Sequence, residues 1–169
     1  MAASERMDLN QYLTFTLSDE LFAIDLLWVK EILDGTDLTH IPMAPDYIRG
    51  VINVRGNPVP VVDLRLTFNM AKTEMTVNTC VIICELAFDG EKSSMGFLAD
   101  SVQEVLELRP DQIDPPPQMG TTIDCRRIKG MGKRDSQFII ILNMDEILSE
   151  SESSEVQQTT SELATESVG

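Results

Sequence analysis

The two halves of the sequence repeat a series of short segments in the same order. The matching pairs are Phe22–Asp25 with Phe97–Asp100, Val29–Leu33 with Val102–Leu106, Ile48–Gly50 with Ile128–Gly130, and Val59–Leu64 with Ile139–Met144. The members of each pair lie between 73 and 80 residues apart. A repeat of this kind indicates two similar structural units, and units of roughly 60–70 residues are only marginally stable alone. We therefore expect the units to pack tightly, with a binding groove between them.

Alternating apolar and polar residues predict that both units are built from short β-strands. In Tyr12–Leu17 the apolar side chains of Leu13, Phe15 and Leu17 share one face, as a half-exposed strand requires. Each half contains about five such segments, and short strands in small units usually close into barrels because closure removes exposed sheet edges. The sequence therefore predicts an all-β fold of two small packed barrels.

The predicted barrels span approximately residues 11–70 and 77–148 of a single domain, residues 11–148. Exchange of strands between the two barrels stays open at this point. Met144–Leu148 is predicted as a short closing helix. The acidic segment Ser149–Gly169 is rich in Ser, Glu, Thr and Gln and has few apolar residues, so it is predicted to be disordered.

Three further segments predict local structure. Asp25 is placed to cap one helical turn at the start of Leu26–Leu33, after which Lys30–Leu33 resumes as a strand. Thr36–Ile41 is predicted as a short strand that Pro42 ends. The IKGMGK segment, residues 128–133, is interpreted as a turn rather than a phosphate-binding loop, because no helix follows its glycines.

The segment Arg49–Arg65 predicts a strand, a tight turn and a second strand. Its β-branched residues favour a pleated surface, and the turn has the sequence Arg55-Gly56-Asn57-Pro58. Gly56 accommodates a positive φ, Asn57 tolerates left-handed geometry and Pro58 fixes its own φ. This arrangement places the long cationic side chain of Arg55 at the tip of a hairpin.

The charge balance excludes several classes of partner. The chain has 13 Lys and Arg against 28 Asp and Glu, which gives a net charge of −15. Such a chain is a poor ligand for nucleic acid or for anionic membrane surfaces, because both bind mainly through Lys and Arg. The polar first residues predict no signal peptide, and no apolar run is long enough for direct membrane insertion. We therefore predict a cytoplasmic protein whose Cys80 and Cys84 are reduced.

The residue pattern of an active site is absent from the sequence. His40 is the only histidine and has no nucleophile beside it, and Asp63 has the pattern of a turn or cap residue. The spacing of acids, histidine and cysteines predicts no metal site, and no motif predicts a cofactor. An enzyme that uses His40 and Asp63 on a two-barrel scaffold is the rival hypothesis.

Four residues are candidates for contact with a partner protein. Trp28 is the only tryptophan and is interpreted either as a core residue or as an aromatic anchor at an interface. Val29 follows it directly. Glu31 and Arg55 are opposite charges within apolar strand sequences, so we expect them to form a pair that fixes geometry more than it adds stability.

At these residues the sequence resembles the CheW family of bacterial chemotaxis coupling proteins. The matching stretches are YLTFTLSDELFAIDLLWVKEIL, IPMAPDYIRGVINVRGNPVPVVDLRLTF, MGFLADSVQEVLELRPDQI, IKGMGK and FIIILNMDEIL. They cover about residues 11–148. The same domain occurs in the kinase CheA and in CheV-type proteins, but this chain has no kinase or receiver sequence, so the stand-alone adaptor is the closest match.

The resemblance implies two packed five-stranded SH3-like barrels and an adaptor without enzymatic activity. Such an adaptor joins the cytoplasmic tips of methyl-accepting chemoreceptors to the regulatory domain of the histidine kinase CheA, at membrane-associated receptor arrays. Val29, Glu31 and Arg55 match family positions for partner contact. Trp28 departs from the Lys or small residue common there, which implies a different choice of receptors. The alternative is an adaptor of a chemosensory-like pathway that controls pili, development or second-messenger output.

Overall fold

A computed structural model describes residues 10–35, 38–88, 90–116, 125–149 and 151–159. Within these residues ten strands form two curled five-stranded sheets. In chain order, β1 to β10 are Asn10–Leu17, Glu20–Asp25, Val29–Asp34, Ile48–Val54, Asn57–Val62, Cys80–Phe88, Glu91–Ala99, Ser101–Leu108, Ile128–Arg134 and Gln137–Leu142. The predicted all-β fold of two five-stranded barrels is confirmed.

The helices within the described residues are short. A single α-helical turn, Leu64–Thr67, follows β5. The 3-10 turns are Leu26–Trp28, Pro110–Gln112, Cys125–Arg127 and Met144–Glu146. Residues 151–159 form a further helix at the C-terminal end of the described chain.

Each sheet takes strands from both halves of the sequence. The first sheet has the order β8-β1-β2-β10-β9 and the second has the order β3-β6-β7-β5-β4. Changing each strand number by five converts one order into the other, so the two sheets are related as the sequence repeat is. The halves are joined by parallel pairing of β2 with β10 and of β5 with β7. Neither half therefore closes a barrel from its own strands.

The largest hydrophobic cluster, which we call the central cluster, includes buried residues from both sheets. Phe15, Phe22 and Phe68 stack in series with ring centroids 6.1 Å apart, and Ile82 and Phe97 of the second sheet belong to the same cluster. Two smaller clusters fill the individual barrels. Because the largest cluster draws on both sheets, removing either sheet would expose it to water.

A glycine at the same place in each repeat allows a second chain segment to approach. A Cβ atom on Gly50 would lie 2.4 Å from the carbonyl oxygen of Thr39, and one on Gly130 would lie 2.7 Å from that of Asp114. In both places the segment forms a single antiparallel bridge to the next residue of the strand, Thr39 to Val51 and Asp114 to Met131. The repeat is therefore preserved in detail at these edges.

Two local predictions were wrong. Thr36–Ile41 contains only the bridge at Thr39 within its described residues, and residues 36–37 lie outside them. The IKGMGK segment belongs to β9, not to a turn. Its two glycines lie on the inner face of the strand, where Ile113 and Leu108 occupy the space that side chains would need.

The prediction of disorder from Ser149 onwards was wrong for residues 151–159. Ser149 and Glu152 form a reciprocal capping box, in which the Ser149 hydroxyl accepts from the Glu152 N–H and the Glu152 carboxylate accepts from the Ser149 N–H. The carboxylate also lies 3.0 Å from the guanidinium of Arg127, and Val156 is 2% exposed in the central cluster. Composition missed this helix because docking on an existing core requires few apolar residues. Residues 160–169 lie outside the described residues.

We predict that Val156→Ala lowers the free energy of unfolding by roughly 1–3 kcal/mol, because it removes buried methyl groups from the central cluster. Gln158→Ala is the matched control, since Gln158 lies on the exposed side of the same helix. Urea denaturation of both variants checks this. Equal stability of the two variants would contradict the docking of the helix.

Candidate functional site

The segment before β3 is fixed by a local cap. The Asp25 carboxylate accepts a hydrogen bond of 3.0 Å from the Leu27 N–H, and the resulting 3-10 turn ends at Trp28. This confirms the single helical turn predicted after Asp25. β3 follows, with Val29, Glu31 and Leu33 half-buried and Lys30 and Ile32 exposed, and its register against β6 shifts between Val29 and Glu31.

The turn between β4 and β5 owes its shape to three residues. Arg55 has a φ of 53° and Gly56 a φ of 88°, the pattern of a two-residue type I′ hairpin turn. The Asn53 side chain accepts a hydrogen bond of 2.8 Å from the Gly56 N–H. A left-handed conformation costs a residue other than glycine roughly 1–2 kcal/mol. An arginine at such a position is a reason to look for a role outside the fold.

Glu31 and Arg55 form the predicted pair, and it connects opposite edges of one sheet. β3 and β4 are the two outermost strands of the second sheet, and the nearest charged atoms of Glu31 and Arg55 are 3.8 Å apart. The Arg55 side chain is 85% exposed and the Glu31 side chain 29% exposed. A pair this long and this exposed contributes little to stability. The guanidinium therefore remains available to a partner.

The structure shows the core role of Trp28, which is one of the two roles that its sequence context left open. It is half-buried and packs against the central cluster. It also lines a cavity of about 70 Å³, together with Leu86, Met144, Leu148 and Ser153. Leu27, which precedes Trp28 in the sequence, is 90% exposed.

Three of the four predicted residues, Trp28, Val29 and Glu31, are near neighbours in the sequence. The fold brings the fourth, Arg55, to them through its ion pair with Glu31. Sequence reasoning missed Leu27 and Ile32, which are exposed apolar residues beside them. The register shift between Val29 and Glu31 puts Ile32 on the same side of the sheet as Val29, so simple strand alternation could not have identified it.

A family model described as the CheW-like domain matches residues 11–152. The chain belongs to the CheW-like family. The chemotaxis protein CheW of Klebsiella aerogenes is 34% identical over 84% of this chain and 83% of its own length. The chemotaxis protein CheW of Helicobacter pylori is 31% identical over 82% of this chain and 81% of its own. The crystal structure of the scaffolding protein TtCheW from Thermoanaerobacter tengcongensis superposes with a TM-score of 0.74 at 33% identity, and the match covers 83% of this chain and 88% of that protein.

Asp63 has a structural role in this CheW-like domain. Its carboxylate is fully buried and accepts from the Arg49 guanidinium at 2.8 Å, from the Thr73 hydroxyl and N–H at 2.7 and 3.0 Å, and from the Arg65 N–H at 3.1 Å. A carboxylate held by four donors is poorly placed to act as a general base. Asp63 is therefore not free to act with His40 as the rival hypothesis requires.

The described part of this CheW-like chain has neither a metal-binding cluster nor a membrane-spanning helix. No group of three or more His, Cys, Asp or Glu side chains there has the geometry to hold a metal ion. No helix there is long and apolar enough to cross a bilayer.

We predict that Asp63→Ala lowers the free energy of unfolding by about 3–5 kcal/mol, because it leaves the Arg49 guanidinium largely buried without its counterion. The control is Asp111→Ala, which removes the exposed partner of Arg109 and should cost less than about 1 kcal/mol. Thermal denaturation distinguishes the two. Similar losses in both variants would show that the buried interactions of Asp63 do not stabilise the hairpin of β4 and β5.

The two cysteines of β6 differ in their chemistry. Both are free thiols; Cys84 is buried and Cys80 is partly exposed. Burial raises the pKa of Cys84 to about 12. We predict that maleimide at pH 8 labels Cys80 in the native protein and Cys84 only after unfolding, as read by mass spectrometry in a Cys125→Ser background. Rapid native labelling of Cys84 would contradict its burial.

The raised pKa of Cys84 also predicts the direction in which the free energy of unfolding changes at alkaline pH. The folded state holds this proton more tightly than the unfolded chain, whose thiol titrates near 9.0. The free energy of unfolding should therefore fall as the pH rises from about 9 towards 12. Cys84→Ala should show a smaller alkaline loss than the parent.

Proposed function

We propose that this chain is a non-enzymatic adaptor that joins chemoreceptor tips to the regulatory domain of the histidine kinase CheA. Support comes from membership of the CheW-like family and from relatives that are named as chemotaxis and scaffolding proteins. The alternative outputs of a chemosensory-like pathway have no separate support in the fold.

The observation that carries the proposal is the exposed Arg55 guanidinium beside Glu31. The fold holds Arg55 in a left-handed turn, yet the pair it makes is long and mostly solvated. Arginine is enriched among residues that dominate binding energy at protein interfaces. The left-handed backbone of Arg55 costs free energy, and its ion pair adds little stability. Both observations are consistent with a partner that completes the interaction.

The neighbouring residues extend this surface. Leu27 and Ile32 supply apolar area on either side of the segment from Trp28 to Glu31. In the proposal, a receptor tip contacts this area and Arg55, while Val29 supports the segment from the core side. Trp28 replaces a smaller or cationic family residue, and we propose that its bulk influences which receptors are accepted.

Signal transfer in this proposal requires no chemistry in the adaptor. Two partners bound to one rigid pair of sheets move together, and packed interfaces favour discrete arrangements over continuous deformation. No cofactor has a role in the proposal. The place of action is the cytoplasm, with recruitment to receptor arrays at the membrane.

A pull-down with a purified receptor tip and, separately, with the CheA regulatory domain tests the proposal. We expect both to be retained at physiological salt. Retention of neither would overturn it.

We predict that Arg55→Ala weakens binding of at least one of these partners by roughly tenfold, the size expected for an interface arginine. Stability should change little because the pair with Glu31 is long and solvated. Calorimetry measures the affinity and a thermal melt the stability.

Arg109→Ala is the matched control, since Arg109 is also exposed and paired with an acid. It should leave both affinities unchanged. Glu31→Lys should weaken binding as Arg55→Ala does. If Arg55→Ala instead lowered the melting temperature markedly and kept full affinity, Arg55 would be a structural residue.

A further inference from the structure

The helix of residues 151–159 is held on the domain by few contacts. Its sequence is SESSEVQQT, so Val156 is its one apolar residue, and only Val156 and Thr159 have buried side chains in it. The Glu152 carboxylate pairs with Arg127 at 3.0 Å, and both side chains are largely buried. Desolvation offsets much of the attraction within a buried ion pair, so this pair fixes the position of the helix more than it stabilises it.

The packing beside the helix is incomplete. A cavity of about 70 Å³ is lined by Ser153 of the helix and by Trp28 and Leu148. A second cavity, of about 240 Å³, is lined by Glu155 and by residues 41–45. Side chains that face a cavity lose the contacts that close packing would give them. A helix of nine residues is also too short to be stable in isolation. We therefore expect the helix to leave the domain locally, without unfolding of the sheets.

The helix covers an apolar face that is continuous with the proposed receptor surface. Four partly buried residues pack against the central cluster, and we name them the covered face: Trp28, Ile41, Ala44 and Tyr47. Residues of the helix line cavities together with the first three, and the Tyr47 hydroxyl donates to the Glu152 carbonyl at 3.5 Å. Trp28 belongs both to the covered face and to the exposed segment that begins at Leu27, so departure of the helix would extend that surface.

We propose that the C-terminal helix covers part of the receptor-binding surface in the unbound chain, and that a helix of the receptor tip replaces it. This inference rests on the proposed adaptor function. Departure of Glu152 leaves the Arg127 guanidinium without its counterion, which is costly for a largely buried cation. The replacing helix must therefore supply a carboxylate, and four residues later an aliphatic side chain, as Glu152 precedes Val156.

Covering of this kind lowers the apparent affinity of the receptor. A receptor tip that needs the covered face binds only those chains from which the helix has departed. The apparent affinity is therefore reduced in proportion to the fraction of open chains, and any change that weakens docking of the helix should tighten receptor binding.

The test compares Ser154→Gly with Ser154→Ala in the full chain. Ser154 is exposed on the helix, so this exchange changes helix propensity and leaves the buried contacts in place. Glycine disfavours a helix relative to alanine by a factor of about four to five. Calorimetry with the receptor tip should show tighter binding by Ser154→Gly by about that factor. The matched control is Lys92→Gly against Lys92→Ala, at an exposed position of β7, and these two variants should bind equally.

Hydrogen exchange provides a second measurement on the same samples. Saturation with the receptor tip should speed the exchange of amides in residues 153–159, because the bound receptor replaces the helix. Exchange in the central strands should not become faster. A thermal melt of each variant shows that the sheets remain folded.

The outcomes separate this inference from the adaptor function. Equal affinities of the two Ser154 variants, tighter binding by Ser154→Ala, or slower exchange of the helix on receptor binding would each overturn the covering role and leave the adaptor function intact. Failure of the receptor tip to bind the parent chain would contradict the adaptor function, and this inference with it.

Discussion

Exchange of strands between the two halves is the constraint on which the rest of the structure depends. The parallel pairs β2–β10 and β5–β7 join each half to the other, and the stacked rings of Phe15, Phe22 and Phe68 lie in a cluster that also takes residues from the second sheet. A half of this size would be marginal alone, and the shared cluster removes that weakness by making the two sheets one cooperative unit. A rigid pair of sheets is also what an adaptor needs if movement of one partner is to be felt by the other.

The exchange also determines which strands lie at the outer edges of each sheet. Each curled sheet ends in two outer strands, and an ion pair connects them, Glu31 with Arg55 in one sheet and Glu104 with Arg134 in the other. The two arginines are not equivalent, because the repeat aligns Arg134 with Val54 and Arg55 with Asp135. The repeat thus supplies a common frame, and the side chains at the hairpin tips distinguish the two surfaces.

The sequence predicted the parts of the fold that depend on local pattern. Strand alternation located β1, and Asp25 located the cap before β3, because both effects act within a few residues. The sequence could not choose between closed halves and exchanged strands, since both arrangements bury the same faces. It missed the helix of residues 151–159 because composition weighs apolar content, whereas Val156 docks on a core that already exists. The pairing of Glu31 with Arg55 was predicted, but its length and exposure needed coordinates.

The proposed adaptor function requires one rigid chain to hold a receptor and a kinase at the same time. Light scattering on a mixture of the receptor tip, the CheA regulatory domain and this chain measures it most directly. The account predicts a species with the mass of all three components that is absent when the chain is omitted. If the two partners instead displaced one another from the chain, so that only binary complexes formed at every ratio, the adaptor account would be contradicted.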